Sequence, residues 1–194
     1  MNKPYGIISD THLHSWSAFA SHDDNGINTR LNIILDEIYR AAEAVSKAGG
    51  DTLYHLGDCF HVRGKIAPSV LNPTIAMYER INSELDLNLY MIAGNHDLET
   101  NVSSRHSNAS TALESVGINV VTSATEFDST KKFMIPWIAD IQELKATIAE
   151  FVKDVGDVSQ YTLMLHAPIN GVIMGIPDHG LDAVYLNNLG FKHV

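Results

Sequence analysis

The chain has 194 residues and a formal net charge of −10, from 13 basic and 23 acidic side chains. This length is enough for one domain, or at most two, with a full hydrophobic core. The negative charge argues against a free-standing nucleic-acid binder, because Lys and Arg must neutralise the backbone phosphates. Either metal ions and a partner protein supply the positive field, or the substrate is small.

Cysteine content and hydropathy indicate the compartment. Cys59 is the single cysteine, so no internal disulfide can form and a reducing environment is expected. No apolar run approaches the roughly 20 residues of a membrane helix. Residues Met1 to Pro4 lack the apolar region of a signal peptide. We therefore expect a cytoplasmic protein without a membrane partner.

Apolar, β-rich runs alternate with helical patterns along the chain, without a linker or a repeat. The predicted strands are Tyr5 to Ser9, Thr52 to Leu56, Leu87 to Ala93, Ile118 to Thr122, Phe133 to Trp137 and Tyr161 to Leu165. The predicted helices are one capped by Asn28 or Thr29 and ended by Gly49 and Gly50, one from Ser69 to Leu85, a short one from Ser110 to Val116 closed by Gly117, and one from Asp140 to Val152. Strands joined by helical crossovers predict a layered α/β domain.

Polar clusters follow four of these strands. They are Asp10-Thr11-His12, Gly57-Asp58, Gly94-Asn95-His96-Asp97 and Leu165-His166-Ala167. Open α/β sheets place their active sites at the carboxyl ends of the strands. We therefore expect the four clusters to meet there.

The residue types in these clusters suit a pair of metal ions. A carboxylate can bridge two divalent cations while His, Asn and further Asp fill the outer positions, and such mixed ligation suits Mn, Fe or Zn better than Ca. Two cations about 3.5–4 Å apart can clamp a phosphate ester and activate water for in-line attack. The clusters therefore predict phosphoester hydrolysis.

The ordered set Asp10-x-His12, Gly57-Asp58, Gly94 to Asp97 and His166 resembles the calcineurin-like metallophosphoesterase family. The longer forms Ser9 to Leu13 and Gly57 to His61 resemble its Mre11/SbcD nuclease branch, including phage relatives. The resemblance covers nearly the whole chain. It implies one layered α/β/β/α sandwich over residues 1–194 and a pair of divalent ions, with manganese expected and iron, zinc or magnesium as alternatives.

The resemblance also implies a closing Gly-His-x-His element. The chain stops at Phe191 to Val194, where the strand before that element should begin. We therefore expect the domain to be incomplete at its C-terminus. His193 is expected on this last strand rather than as a substitute ligand.

Roles for individual residues follow from the motifs. The expected metal ligands are Asp10, His12, Asp58 as the bridging carboxylate, Asn95 and His166. The expected catalytic residues are His96, which stabilises charge on the phosphate or protonates the leaving alkoxide, Asp97, which orients His96 and raises its pKa, and His61. For His61, a substrate contact competes with a surface or core histidine; His55, within a strand, is expected in the core or behind the ligands.

Two loops have expected roles around the site. The polar loop from Leu13 to Asn28 is long for a βα connection and is a candidate substrate loop. Its Trp16 and Phe19 would either stack on a base or pack on their own domain. The glycine-rich segment from Asn170 to Gly180 is expected to lie over the site.

Two classes of function fit these features. The first is a metal-dependent phosphodiesterase, expected to be a DNA exonuclease or endonuclease subunit for repair or recombination. The resemblance implies DNA as substrate and an SbcC/Rad50-like ATPase as partner. A homodimer is a separate expectation. A phosphatase or cyclic-nucleotide phosphodiesterase acting on a small substrate is the alternative enzyme, which the acidic charge favours. The second class is a non-catalytic scaffold of the same fold.

Overall fold

The computed structural model describes residues 3–100, 105–172 and 179–194. Within these ranges the chain forms seven β-strands, four α-helices and three short 3-10 helices. The strands divide into one sheet of four and one sheet of three. No helix in the described part of the chain is long and apolar enough to cross a membrane.

The first sheet is parallel, and its strands lie side by side in chain order. They are β1 (Tyr5–Ile8), β2 (Thr52–Leu56), β3 (Asn88–Ile92) and β4 (Ile118–Val121). Pairing in register aligns Ile8 with His55 at the carboxyl ends of β1 and β2. The loops that follow these strands therefore emerge at one edge of the sheet.

Two helices provide crossovers of this sheet: α1 (Thr29–Lys47) and α2 (Pro68–Leu85). Asn28 caps α1, because its side-chain Oδ1 accepts from Leu31 N at 3.1 Å. Helix α1 buries one side through a stripe at helical spacing: Leu31, Leu35, Ile38, Ala42 and Val45. That stripe joins one hydrophobic core with α2 and the facing side of the sheet.

The second sheet is mixed, with β5 (Thr125–Phe127) antiparallel to β6 (Lys132–Ile135) and β6 parallel to β7 (Thr162–Leu165). Helices α3 (Ile141–Val155) and α4 (Ala183–Asn188) pack against this sheet in a second core. A third apolar cluster lies between the sheets and contains Tyr54, Ile92, Val121, Met134 and Met164. The layers are helix, sheet, sheet and helix, which confirms the predicted α/β/β/α sandwich.

Several local predictions differ from the structure in detail. Residues Ala109–Val116 form a 3-10 helix, which Gly117 ends in a left-handed conformation at φ 86°. Helix α3 runs to Val155, three residues beyond the predicted end. Strand β5 was not predicted. Where the last strand was expected to begin, at residues 191–194, the structure has one isolated parallel bridge, between His193 and Thr162 of β7.

Candidate metal centre

The loops after β1 and β2 hold three of the predicted ligands in a left-handed backbone conformation. The φ angles are 54° at Asp10, 44° at His12 and 54° at Asp58. Residues with a Cβ avoid this region, so each such conformation must be held by its surroundings. Backbone hydrogen bonds join the two loops here: Asp10 N donates to Gly57 O at 3.0 Å, and His12 N donates to Asp58 O at 3.0 Å.

The carboxylate of Asp58 lies at the centre of the cluster, and the residue as a whole is only 3% exposed. Its Oδ2 lies 3.7 Å from His12 Nε2 and 3.7 Å from His166 Nε2. His12 Nε2 lies 3.9 Å from Asp10 Oδ1. These separations are too long for hydrogen bonds, but two ligands about 2.0–2.2 Å from a shared cation lie roughly 3–4 Å apart. The residues present therefore fit a divalent metal.

His166 is oriented by a backbone carbonyl. Its Nδ1 lies 2.8 Å from Leu56 O, and a carbonyl only accepts, so Nδ1 carries the proton. The Nε2 lone pair is then directed towards Asp58. This arrangement of one ring nitrogen on a carbonyl and the other on the metal is common for ligating histidines.

Two glycines leave room for the acidic centre. A Cβ on Gly94 would lie 2.1 Å from Asp58 Oδ1, and one on Gly57 would lie 2.5 Å from His166 Nδ1. Gly57 also has a φ of 94°. Any side chain at either position would displace a predicted ligand. Asn95 follows Gly94 and is half-buried; among the described residues its side-chain amide has no hydrogen-bond partner, so its oxygen is available to a cation.

His96 and His61 lie together beside the ligands. Their rings stack at 5.7 Å with an interplanar angle of 15°. His96 Nδ1 lies 2.7 Å from the backbone O of His61 and therefore donates to it. His96 N donates to Asp58 Oδ1 at 2.8 Å. His61 is thus a neighbour of His96, and ligand atoms of His12, His61 and His96 come within 4.8 Å of one another.

The prediction that Asp97 orients His96 is wrong. Asp97 is fully buried, and its carboxylate accepts from backbone amides: Phe60 N at 2.9 Å, Gly94 N at 2.8 Å and Cys59 N at 3.3 Å. Burial raises the pKa of Asp97 to about 6, although these amides lower it. The carbonyl of His61 orients His96 instead. Asp97 ties the loop after β2 to the loop after β3.

The network predicts a large structural effect for Asp97→Ala. The change leaves buried amides without an acceptor, so the free energy of unfolding should fall by about 3 kcal/mol. Urea denaturation of the wild-type protein and the variant measures this difference in the free energy of unfolding.

A matched control is Asp140→Ala, because the exposed Asp140 also accepts from two amides, Gln142 N at 2.7 Å and Glu143 N at 3.1 Å. Loss of this helix cap should cost about 1 kcal/mol. Equal losses in the two variants would contradict the role assigned to the buried carboxylate.

Thr11, between two predicted ligands, supports the site although no role was predicted for it. Its Oγ1 donates to Cys59 O at 3.2 Å and lies 3.0 Å from His55 Nε2, which therefore donates to it. Burial lowers the pKa of His55 to about 4, so its imidazole is neutral at pH 7. His55 lies in the core behind the ligands, as expected for a histidine within a strand.

The two loop aromatics behave differently. Trp16 packs on its own domain, with its ring 4.8 Å from that of His61. Phe19 is fully exposed, at 101% relative accessibility.

A cavity of about 490 Å³ lies beside Asp10 and His166, and residues 170–172, 179 and 180 line it. The two described ends of the segment from Asn170 to Gly180, which was expected to lie over the site, therefore line this cavity. Residues 173–178 lie outside the described residues.

The fold is a layered α/β/β/α sandwich whose clustered carboxylates and histidines could hold divalent metal ions. The family model for calcineurin-like phosphoesterases matches residues 3–194, and the chain belongs to that family. Among solved structures, the crystal structure of Pseudomonas putida nuclease MPE is similar, with 21% identity and a TM-score of 0.42. That match covers 66% of this chain and 52% of the other, so it spans about half of that nuclease. A search of curated proteins found no match.

Proposed function

We propose that this phosphoesterase hydrolyses phosphodiester bonds with two divalent ions held by Asp10, His12, Asp58, Asn95 and His166. The observation that carries the proposal is the position of Asp58 Oδ2, at 3.7 Å from the Nε2 atoms of both His12 and His166. A carboxylate between two outer nitrogen ligands is suited to bridge two cations. Manganese is the first candidate, and iron, zinc and magnesium are the alternatives.

The ligands divide into two groups around Asp58. Asp10 and His12 follow β1 and would share one ion, and Asn95 and His166 follow β3 and β7 and would share the other. When bound, such a pair of ions supplies positive charge to the phosphate and to the attacking water. In this acidic chain the ions also offset the repulsion between the protein and an anionic substrate.

His96 is proposed to act on the leaving group. Its Nδ1–H is occupied by the His61 carbonyl at 2.7 Å, so in the imidazolium form the proton on Nε2 is the one that passes to the leaving alkoxide, which leaves a neutral imidazole. The amide of His96 donates to Asp58 Oδ1 at 2.8 Å. The position of the acid is thereby linked to the carboxylate that would hold the ions.

DNA is the proposed substrate, with the chain acting as an exonuclease or endonuclease subunit in repair or recombination. Support comes from the extended motifs at Ser9 to Leu13 and Gly57 to His61, which resemble the Mre11/SbcD branch. The contact between His61 and His96 places the residue typical of that branch beside the proposed acid. An SbcC/Rad50-like ATPase partner would add the basic surface that a net charge of −10 does not provide. A homodimer is also proposed, but a second copy of this acidic chain would not add that surface.

A small phosphoester is the second candidate substrate. The net charge of −10 favours it, because a small anion can be bound by the metal ions alone. A cyclic nucleotide or a phosphomonoester would need no extended basic surface. A scaffold without catalysis is the remaining alternative.

One assay separates these functions. The protein is loaded with Mn²⁺ and incubated with single- and double-stranded DNA, bis-p-nitrophenyl phosphate and p-nitrophenyl phosphate, beside the Asp58→Asn variant. If the wild-type protein cleaves DNA and the Asp58→Asn variant does not, the result supports the nuclease. Turnover of a small ester without DNA cleavage would replace it with the second candidate. Stoichiometric Mn²⁺ without turnover of any substrate would identify a scaffold.

A further inference from the structure

We propose that Trp16, in the loop between β1 and α1, is a positioning residue that fixes His96 through His61. The proposal rests on the role proposed for His96 as the proton donor. Among the described residues, the ring contacts of Trp16 are with His14, His61 and Arg30, so Trp16 would act on His96 through its neighbour His61. A loop that was expected to contact substrate would thereby control the chemistry.

The first step is the contact between Trp16 and His61. Their ring centroids lie 4.8 Å apart with an interplanar angle of 43°. His14 packs against both rings, at 5.3 Å from Trp16 and 5.1 Å from His61. Aromatic rings at these distances attract each other beyond the effect of burial. The rings of Trp16 and His14 therefore both pack against the imidazole of His61.

The second step runs from His61 to His96. The two imidazoles stack at 5.7 Å, and the backbone O of His61 accepts from His96 Nδ1 at 2.7 Å. Both contacts come from a single residue, so a shift of His61 would move the ring and the acceptor of His96 together. Residues 62–65, which follow His61, are exposed. On the other side, the His61 amide donates to Leu13 O at 3.2 Å, and the His61 ring lies 5.5 Å from that of His12. Packing from Trp16 is therefore one of the restraints on His61, and it acts on the face of the imidazole.

The third step is the anchoring of Trp16 itself. Asn28 Nδ2 donates to Trp16 O at 2.8 Å while its Oδ1 accepts from Leu31 N at 3.1 Å. One buried side chain thus caps α1 and clamps the loop. The guanidinium carbon of Arg30 lies 4.3 Å from the centre of the Trp16 ring, in a cation–π contact. Two residues at the start of helix α1 therefore restrain Trp16: Asn28 binds its backbone carbonyl, and Arg30 packs on its ring.

These contacts distinguish Trp16 from the other aromatic residue of the loop. Phe19 is three residues further along and fully exposed. The loop therefore offers a matched pair: one aromatic ring that supports His61 and one that does not. A misplacement of roughly 1 Å at a reacting group can cost ~10²-fold in rate, so removal of the support should be measurable.

The test uses two substrates that differ in their need for a proton donor. Bis-p-nitrophenyl phosphate releases p-nitrophenolate, which leaves without a proton, whereas the alkoxide of a DNA strand must be protonated. In the Mn²⁺-loaded protein, Trp16→Ala should lower kcat on DNA by roughly 10- to 100-fold. The loss on bis-p-nitrophenyl phosphate should be much smaller. KM and bound manganese should stay unchanged, and Trp16→Phe should retain most of the activity.

Two further variants keep the result interpretable. Asn28→Asp retains the oxygen that caps α1 but loses the amide donor to Trp16 O, so it should show the same substrate dependence to a smaller degree. Phe19→Ala removes an aromatic ring from the same loop and should leave kcat on bis-p-nitrophenyl phosphate unchanged.

The outcomes separate this proposal from the proposed function. An equal loss on both substrates in Trp16→Ala, or a loss of manganese, would show a merely structural role and overturn the proposal. Wild-type kcat on DNA would overturn it as well. His96→Ala is measured in parallel: if that variant itself shows no dependence on the leaving group, the role of His96 fails, and the assignment of Trp16 fails with it.

Discussion

Replacement of Asp58 by Ala is expected to reduce hydrolysis to background and to lower bound manganese at both positions. The reason is geometric, because its Oδ2 lies 3.7 Å from ligand nitrogens on two separate loops. A bridging carboxylate holds both cations and fixes their spacing, so its loss cannot be confined to one ion. Bound metal is measured by elemental analysis, and turnover is measured on DNA and on bis-p-nitrophenyl phosphate.

Asp58→Asn sharpens this experiment. The amide oxygen can still accept from His96 N, as Oδ1 does at 2.8 Å, so the loop keeps its hydrogen bond while the negative charge is lost. Loss of both ions in this variant would assign the effect to the charge rather than to the fold. A variant with two bound ions and wild-type turnover would exclude the bridging role of Asp58.

The position of the candidate site could be predicted because its residues directly follow strands. Apolar runs such as Thr52 to Leu56 are read from the sequence as strands, and the carboxyl ends of parallel strands must meet. In the structure β1, β2 and β3 are parallel neighbours, which brings Asp10, Asp58 and the loop of His96 to one edge. The metal-binding chemistry could be predicted because Asp, Asn and His side chains seldom follow several strands in this combination.

The links between the loops could not be predicted. Asp97 and Phe60 N are 37 residues apart in sequence, and nothing in the local pattern distinguishes a carboxylate that binds backbone amides from one that orients an imidazole. The acceptor for His96 is the backbone carbonyl of His61. Every residue has such a carbonyl, so the residue type at position 61 does not predict this hydrogen bond. Tertiary structure decides which polar group each buried donor meets.

Short or irregular elements were missed for a different reason. Strand β5 has three residues, Thr125–Phe127, which is too few to show an alternating pattern. It forms because β6 offers an antiparallel partner across a tight connection. The segment Ala109–Val116 has helical spacing, and in the structure it is a 3-10 helix in contact with α2 and β4. Packing overrides local preference in such short segments.

His96→Ala should lower kcat on DNA by ~10²–10⁴, the range for removal of a general acid or base, while bound manganese stays near the wild-type value. The structure gives a reason for this separation, because the Nδ1 atom of His96 is occupied by the His61 carbonyl at 2.7 Å and its amide by Asp58. Only Nε2 remains for the substrate.

His96→Asn tests which nitrogen matters. The side-chain amide of Asn can place a donor near the Nδ1 position and keep the hydrogen bond to the His61 carbonyl, but it has no group at Nε2. If Nε2 gives the proton to the leaving alkoxide, this variant should be as slow as His96→Ala on DNA, and both should recover much of their rate on bis-p-nitrophenyl phosphate, whose leaving group needs no proton. Recovery of DNA cleavage in His96→Asn would show that His96 acts only by holding the loop after β2. A loss of manganese in either variant would instead make His96 a metal ligand, in line with its proximity to His12 and His61.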